Sequence, residues 1–158
     1  MSSLKLYVLL AGIALSISFT SGCIGQEHIP DKQSVTFEQL FSAPEEYHEK
    51  SILIEGFIFL GFETMVLCEE LKYSGYTEGH LVPGERMLWF EGGIPTEIYD
   101  QLQEQNMPGD YGGTAPLENF GKLEVQGIFK YGGQYGHLGM HKYQITPSEI
   151  QLLTWSPN

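Results

Sequence analysis

Along residues 51–62 (SILIEGFIFLGF) apolar side chains occupy both parities, Ile52, Ile54, Ile58 and Leu60 on one and Leu53, Phe57 and Phe59 on the other. A short run apolar on both sides predicts a strand covered on both faces, and Gly56 in its middle predicts a sharp bend. Residues 63–69 (ETMVLCE) follow so closely that a hairpin is expected, and residues 86–91 (RMLWFE) read as a third strand after a Gly/Pro/Tyr-rich excursion over 70–85. Within that third strand Trp89 and Phe90 must point to opposite faces, one into the core and the other beneath a helix or onto an aromatic surface. Ile94, Ile98 and Leu102 then recur every four residues, with Pro95 at a favourable first helical position, which predicts a helix over 95–105 ended by Asn106 and Pro108. Residues 121–131 alternate cleanly, with Leu123, Val125, Phe129 and Tyr131 in, Lys122, Glu124, Gln126 and Lys130 out, and Gly127 at a bend. A last strand is expected over 142–153, interrupted at Thr146-Pro147-Ser148. Ahead of all this, Thr36-Phe-Glu-Gln39 is a capping-box pattern with Val35 and Leu40 as its hydrophobic staple, and Ser42-Ala-Pro44-Glu45 offers a second helix start.

The N-terminus has a different pattern. Met1 to Lys5 is a short basic start, Leu6 to Phe19 is uninterruptedly apolar apart from small polar Ser and Tyr, and Thr20-Ser21-Gly22-Cys23 follows. That is the layout of a secretory signal. Fourteen positions at ~1.5 Å each span about 21 Å, short of the ~30 Å hydrocarbon core, so a transmembrane anchor is the weaker reading. The expected organisation is a signal peptide over 1–22, a polar tether over 23–34 beginning at a lipid-bearing Cys23, and a β domain over 35–158. A plain secretory signal and an uncleaved anchor are the alternatives. Cys68 lies in an apolar run and reads as a small core or half-buried residue.

Composition narrows the function classes. Acidic residues outnumber basic ones 20 to 8, for a formal charge of −12, a field that repels polyanions. With two cysteines and no CxxC spacing, neither a disulfide scaffold nor a zinc finger is indicated. The sequence contains no GxSxG, no Walker A and no GxGxxG after a strand, so hydrolase and nucleotide-binding readings lack support. No cofactor is expected.

TSGC resembles the lipobox of prokaryotic lipoproteins, with Thr20 where that motif usually carries Leu. The order of three strands, a helix and two strands, together with the entry Tyr47, Lys50, Ile52, Ile54, Gly56 and the later Gly121 to Gly127 (GKLEVQG), resembles the uncharacterised OB-fold lipoproteins of prokaryotes over residues 36–153. The resemblance implies a mainly β fold, a five-stranded Greek-key barrel with a helix between strands three and four and a short N-terminal helix. It also implies an extracytoplasmic protein held to the membrane by its lipid, with no assigned activity.

OB-type barrels bind across strands two and three, between the loops joining strands one to two and four to five. Here those loops are Gly61-Phe62-Glu63 and the stretch 131–141, in which Tyr131, Tyr135, His137 and His141 stand among glycines. Together with Trp89 these are the candidate binding residues for an unknown protein or small ligand; the competing reading is a tight loop whose aromatic rings pack on the barrel rim. His137 and His141 have a metal-ligand spacing only on a helix, which Gly136 and Gly139 oppose; extended, they would stand ~13 Å apart. A metal- or haem-handling role is thus an alternative, although neither His is followed four residues on by the Tyr that haem-handling OB proteins use. Nucleic-acid binding is the second alternative, disfavoured by charge. His48 and His80 read as surface residues.

Overall fold

The computed structural model describes residues 33–75, 80–106 and 118–156. The expected signal peptide, Cys23 and most of the tether lie outside the described residues. Two residues of the expected tether, Gln33–Ser34, instead form a short strand β1, parallel to the first long strand, so sheet bonding begins just ahead of Val35. Helix α1 (Phe37–Ser42) starts at Thr36, whose side chain accepts from the Gln39 N–H while the Gln39 side chain accepts from the Thr36 N–H. Helix α2 (Pro44–Tyr47) follows at once. Phe37, Leu40 and Tyr47 are buried and deliver both helices to the core.

Strand β2 (Ser51–Gly61) turns into β3 (Thr64–Cys68), and β6 (Met87–Phe90) pairs beside β3. Helix α3 (Thr96–Asn106) separates β6 from β7 (Asn119–Tyr135), which hairpins into β8 (His141–Leu153). Around the sheet the order is β2-β3-β6-β8-β7, and β7 returns to pair with β2 from Ser51↔Ile128 to Leu60↔Asn119. The molecule is therefore mainly β, with a closed five-stranded barrel and few helices. One seam is short: β6 meets β8 in parallel at Trp89↔Gln144 and Phe90↔Ile145.

Inside the barrel the alternation read from the sequence holds. Ile52, Ile54, Ile58, Leu123, Val125 and Phe129 are buried in one cluster, closed by Leu88, Phe90 and Ile145 and by Leu102 of α3. Gly56 is a close approach: a Cβ there would stand 2.8 Å from the Cys68 carbonyl and 2.9 Å from the Phe37 ring. The register shift at Gln126/Gly127 lies opposite Pro147, so the expected interruption at 146–148 is a bulge within one continuous strand, which spares the imide nitrogen of Pro147 a ladder bond.

Beyond the core, the excursion over 70–85 forms a two-stranded hairpin of β4 (Leu71–Tyr73) and β5 (Leu81–Pro83). Buried Phe59, Val66, Cys68 and Leu81 lie outside the core cluster. Since Ile58 and Leu67 face inward, Phe59, Val66 and Cys68 face outward, a satellite apolar layer on the outer face of β2–β3. His80 pins the hairpin: its Nδ1 is hydrogen-bonded to Ser74 Oγ and its Nε2 lies 2.9 Å from Glu118. The His80 side chain, about one third exposed, is thus a structural tie at the surface. His48 is tied too, its Nδ1 accepting the Tyr131 N–H at 3.0 Å.

Candidate binding face at the β2–β3 turn and the loop after β7

Glu63 occupies the turn between β2 and β3 with a positive φ of 54°. Its carboxylate lies 3.3 Å from Nε2 of His137, in a short 3-10 turn (His137–Gly139) between β7 and β8. The two loops singled out by the sequence are thus in contact. Both side chains are about half exposed, so the pair supplies little stability.

The second contact is aromatic. Trp89 faces outward, opposite buried Phe90, and its ring centroid lies 5.4 Å from that of His141. Trp89 Nε1 donates to Glu91 at 2.8 Å. Gly136 lies against the indole: a Cβ there would fall 2.5 Å from two ring carbons, and its backbone has φ +73° and ψ −167°, a region essentially confined to glycine. The glycine in the sequence is therefore what lets the loop cross the outer face of β6. Burial lowers the His141 pKa from its ordinary value.

His137 is paired with Glu63, whereas His141 packs on Trp89. Among the described residues no three His, Cys, Asp or Glu side chains are grouped to hold a metal ion. Tyr131 belongs to the barrel wall, stacked on Tyr143 at 5.6 Å in a series continued by Phe41. Tyr135 is opposite His141 in the β7–β8 ladder, its ring over Gly133.

Phe62, a candidate from the sequence, is joined by two residues the sequence did not single out, Leu138 and Met140. Phe62 is 84% exposed, Leu138 83% and Met140 77%, all on the two touching loops. Large apolar side chains at loop tips, beside an ion pair and a half-buried Trp, form a surface suited to contact with another molecule. The signal available in the sequence was an apolar residue at each turn centre, where polar residues are usual. Trp155 packs edge-on against Phe57 at 5.1 Å and Phe120 at 6.0 Å, rings carried by β2 and β7.

Cys68 is inert by placement. It is fully buried, its thiol donates to the Phe57 carbonyl at 3.3 Å, and burial pushes its pKa to about 11. No helix among the described residues is long and apolar enough to cross a membrane. No protein-family model, curated protein or solved structure matches this chain.

Proposed function

We propose that this chain is a binding module built on an OB-type barrel, tethered by a lipid on Cys23 outside the cytoplasmic membrane, that engages a partner protein or small ligand with the face formed by residues 61–63, Trp89 and 136–141. The OB assignment is supported by the strand order around the barrel, by the short parallel seam between β6 and β8, and by α3 lying in sequence between β6 and β7. The tether is supported by the apolar run of residues 6–19 followed by Ser21-Gly22-Cys23.

The observation that carries the binding reading is the Glu63–His137 contact, which joins the two loops on which Phe62, Leu138 and Met140 are exposed. The net charge of −12 argues for a protein or neutral ligand over a nucleic acid. Two experiments test the proposal in the native host. Cys23→Ser should leave the membrane fraction or accumulate unprocessed; unchanged size and fractionation would remove the tether. A photo-crosslinker at Phe62 or Leu138 should give a discrete adduct that one at Glu45, on α2, does not; equal labelling from all three would remove the binding face.

A further inference from the structure

Three side chains from separate parts of the chain form a directed series at the loop end of the β4–β5 hairpin. Beyond the Tyr73↔Leu81 pair, the Ser74 N–H donates to the His80 carbonyl at 2.9 Å. That backbone bond sets the two residues opposite each other, and their side chains meet as well, Ser74 Oγ lying 2.5 Å from His80 Nδ1. The other ring nitrogen, Nε2, lies 2.9 Å from the carboxylate of Glu118, which directly precedes β7. Buried Leu81 follows His80 and buried Asn119 follows Glu118, so both backbones are anchored.

A tie needs only these bonds; their direction adds chemistry. An ionised carboxylate can only accept, so the hydrogen of a neutral imidazole sits on Nε2, facing Glu118. Nδ1 then carries the lone pair, and the Ser74 hydroxyl donates to it. A hydroxyl donating to a base that a carboxylate orients is the arrangement that activates a serine nucleophile. Ser42 and Ser148 are the contrast: their hydroxyls donate to the carbonyls of Glu38 and Gln126, which are not bases. The side chains of His80 and Glu118 are about one third exposed, and a Cβ on Gly75, next to Ser74, would meet nothing within 4 Å, so the site is open on that side. No local motif reveals the trio, because six positions separate Ser74 from His80 and thirty-eight separate His80 from Glu118.

We propose that Ser74 is a nucleophile toward small uncharged or cationic carboxylic esters, with His80 as its general base and Glu118 as the residue that positions His80 and stabilises its imidazolium form. Ser74 Oγ bonds to the acyl carbon while its proton passes to Nδ1; the ester C–O bond breaks and the leaving alkoxide takes that proton. Water then attacks the acyl-serine and gives a proton to Nδ1, and the acid leaves as that proton returns to Ser74 Oγ. The sum is ester plus water to acid plus alcohol. An ester fits because an alkoxide leaves more readily than an amide nitrogen, and the net charge of −12 opposes an anionic one. This site rests on neither the Trp89 face nor the lipid tether.

The probe is a neutral fluorophosphonate, which forms a stable Oγ–P bond as fluoride leaves with the hydroxyl proton, the adduct being placed by mass spectrometry of the peptides. Hydrolysis of para-nitrophenyl acetate is the second readout. Ser74 is expected to be labelled in the folded protein and Ser42 and Ser148 not, and Ser74→Ala should abolish the adduct. His80→Gln, which keeps hydrogen-bonding capacity and takes up no proton, should slow labelling about a hundredfold or more. For Glu118 the readout is the tautomer: nitrogen-15 spectra of histidine-labelled protein at about pH 8 should show His80 protonated at Nε2. Glu118→Ala should lose that preference and label about tenfold more slowly or worse. The absence of a Ser74 adduct in protein with native dichroism overturns the proposal, whatever the three variants do to the melting temperature. So does labelling that a folded His80→Gln variant leaves unchanged, or a native His80 protonated at Nδ1.

Discussion

Gly136→Ala probes the loop that crosses Trp89. The native backbone at this position, φ +73° and ψ −167°, lies where an L-residue costs on the order of 1–3 kcal/mol. The added Cβ also falls 2.5 Å from two carbons of the Trp89 ring and 3.0 Å from His141, so the loop, the indole or both must shift. Loss of the Trp89 contact adds roughly 1 kcal/mol. The sum of about 2–4 kcal/mol is an upper limit, because the loop can lift off before the barrel unfolds. At ~3–6 °C per kcal/mol for a domain of this size, full coupling lowers Tm by ~6–24 °C, and lifting alone lowers it by less. Trp89 separates the two. In a Trp155→Phe background it is the remaining Trp, and lifting of the loop red-shifts its emission at temperatures where far-UV circular dichroism is still native. Gly93→Ala is the control: a Cβ there meets nothing within 4 Å and the residue has no positive φ, so its Tm should stay level or rise slightly. If Gly136→Ala melts within about 1 °C of the parent with unchanged Trp89 emission, neither the strain nor the Trp89 contact has been placed correctly.

Three further outcomes are expected. Cys68, with its pKa raised to about 11 by burial, should resist Ellman's reagent at pH 8 in a Cys23→Ser protein and react at once in denaturant; the same group makes stability level below about pH 9 and falling between 9 and 11, and rapid labelling of the native protein would contradict this. Burial lowers the His141 pKa, so the unfolded chain binds its proton more readily: stability should decline as pH falls below ~6.5, and His141→Phe should flatten that decline in urea titrations. Val125→Asp sets a carboxylate in a fully buried position opposite Ile54 and should unfold the domain, costing several of the usual ~5–15 kcal/mol; a native-like dichroism spectrum would show that this strand presents its other face.

How much of this was legible in the sequence divides along the range of the interactions. Residues 123–129 alternate because each side chain answers only to the face on which its own pleat places it, so inward and outward positions can be read from the strand alone. The Thr36–Gln39 box and the Ile94–Ile98–Leu102 stripe are equally local, and helices stand at Phe37–Ser42 and Thr96–Asn106. The glycine positions are half local. Gly56 and Gly127 announce themselves by type, but that the first makes room for Cys68 and Phe37 and the second for a bulge opposite Pro147 depends on chain far away in sequence.

The candidate site shows the same division. Its loops could be named from the order of elements, yet nothing in Glu63 or His137 announces the other, seventy-four positions along the chain. The same holds for His80 and Glu118, for His48 and the Tyr131 N–H, and for Trp155 on Phe57, each made only when barrel closure carries distant strands together. The excursion over 70–85 was opaque for a further reason. Its strands are three residues each, too short for periodicity to show that Leu81 is buried. Periodicity records which side of its own element a residue faces. Which distant element meets that side is decided by the closure of the barrel, where the apolar area buried by all strands together outweighs the chain entropy of bringing them there.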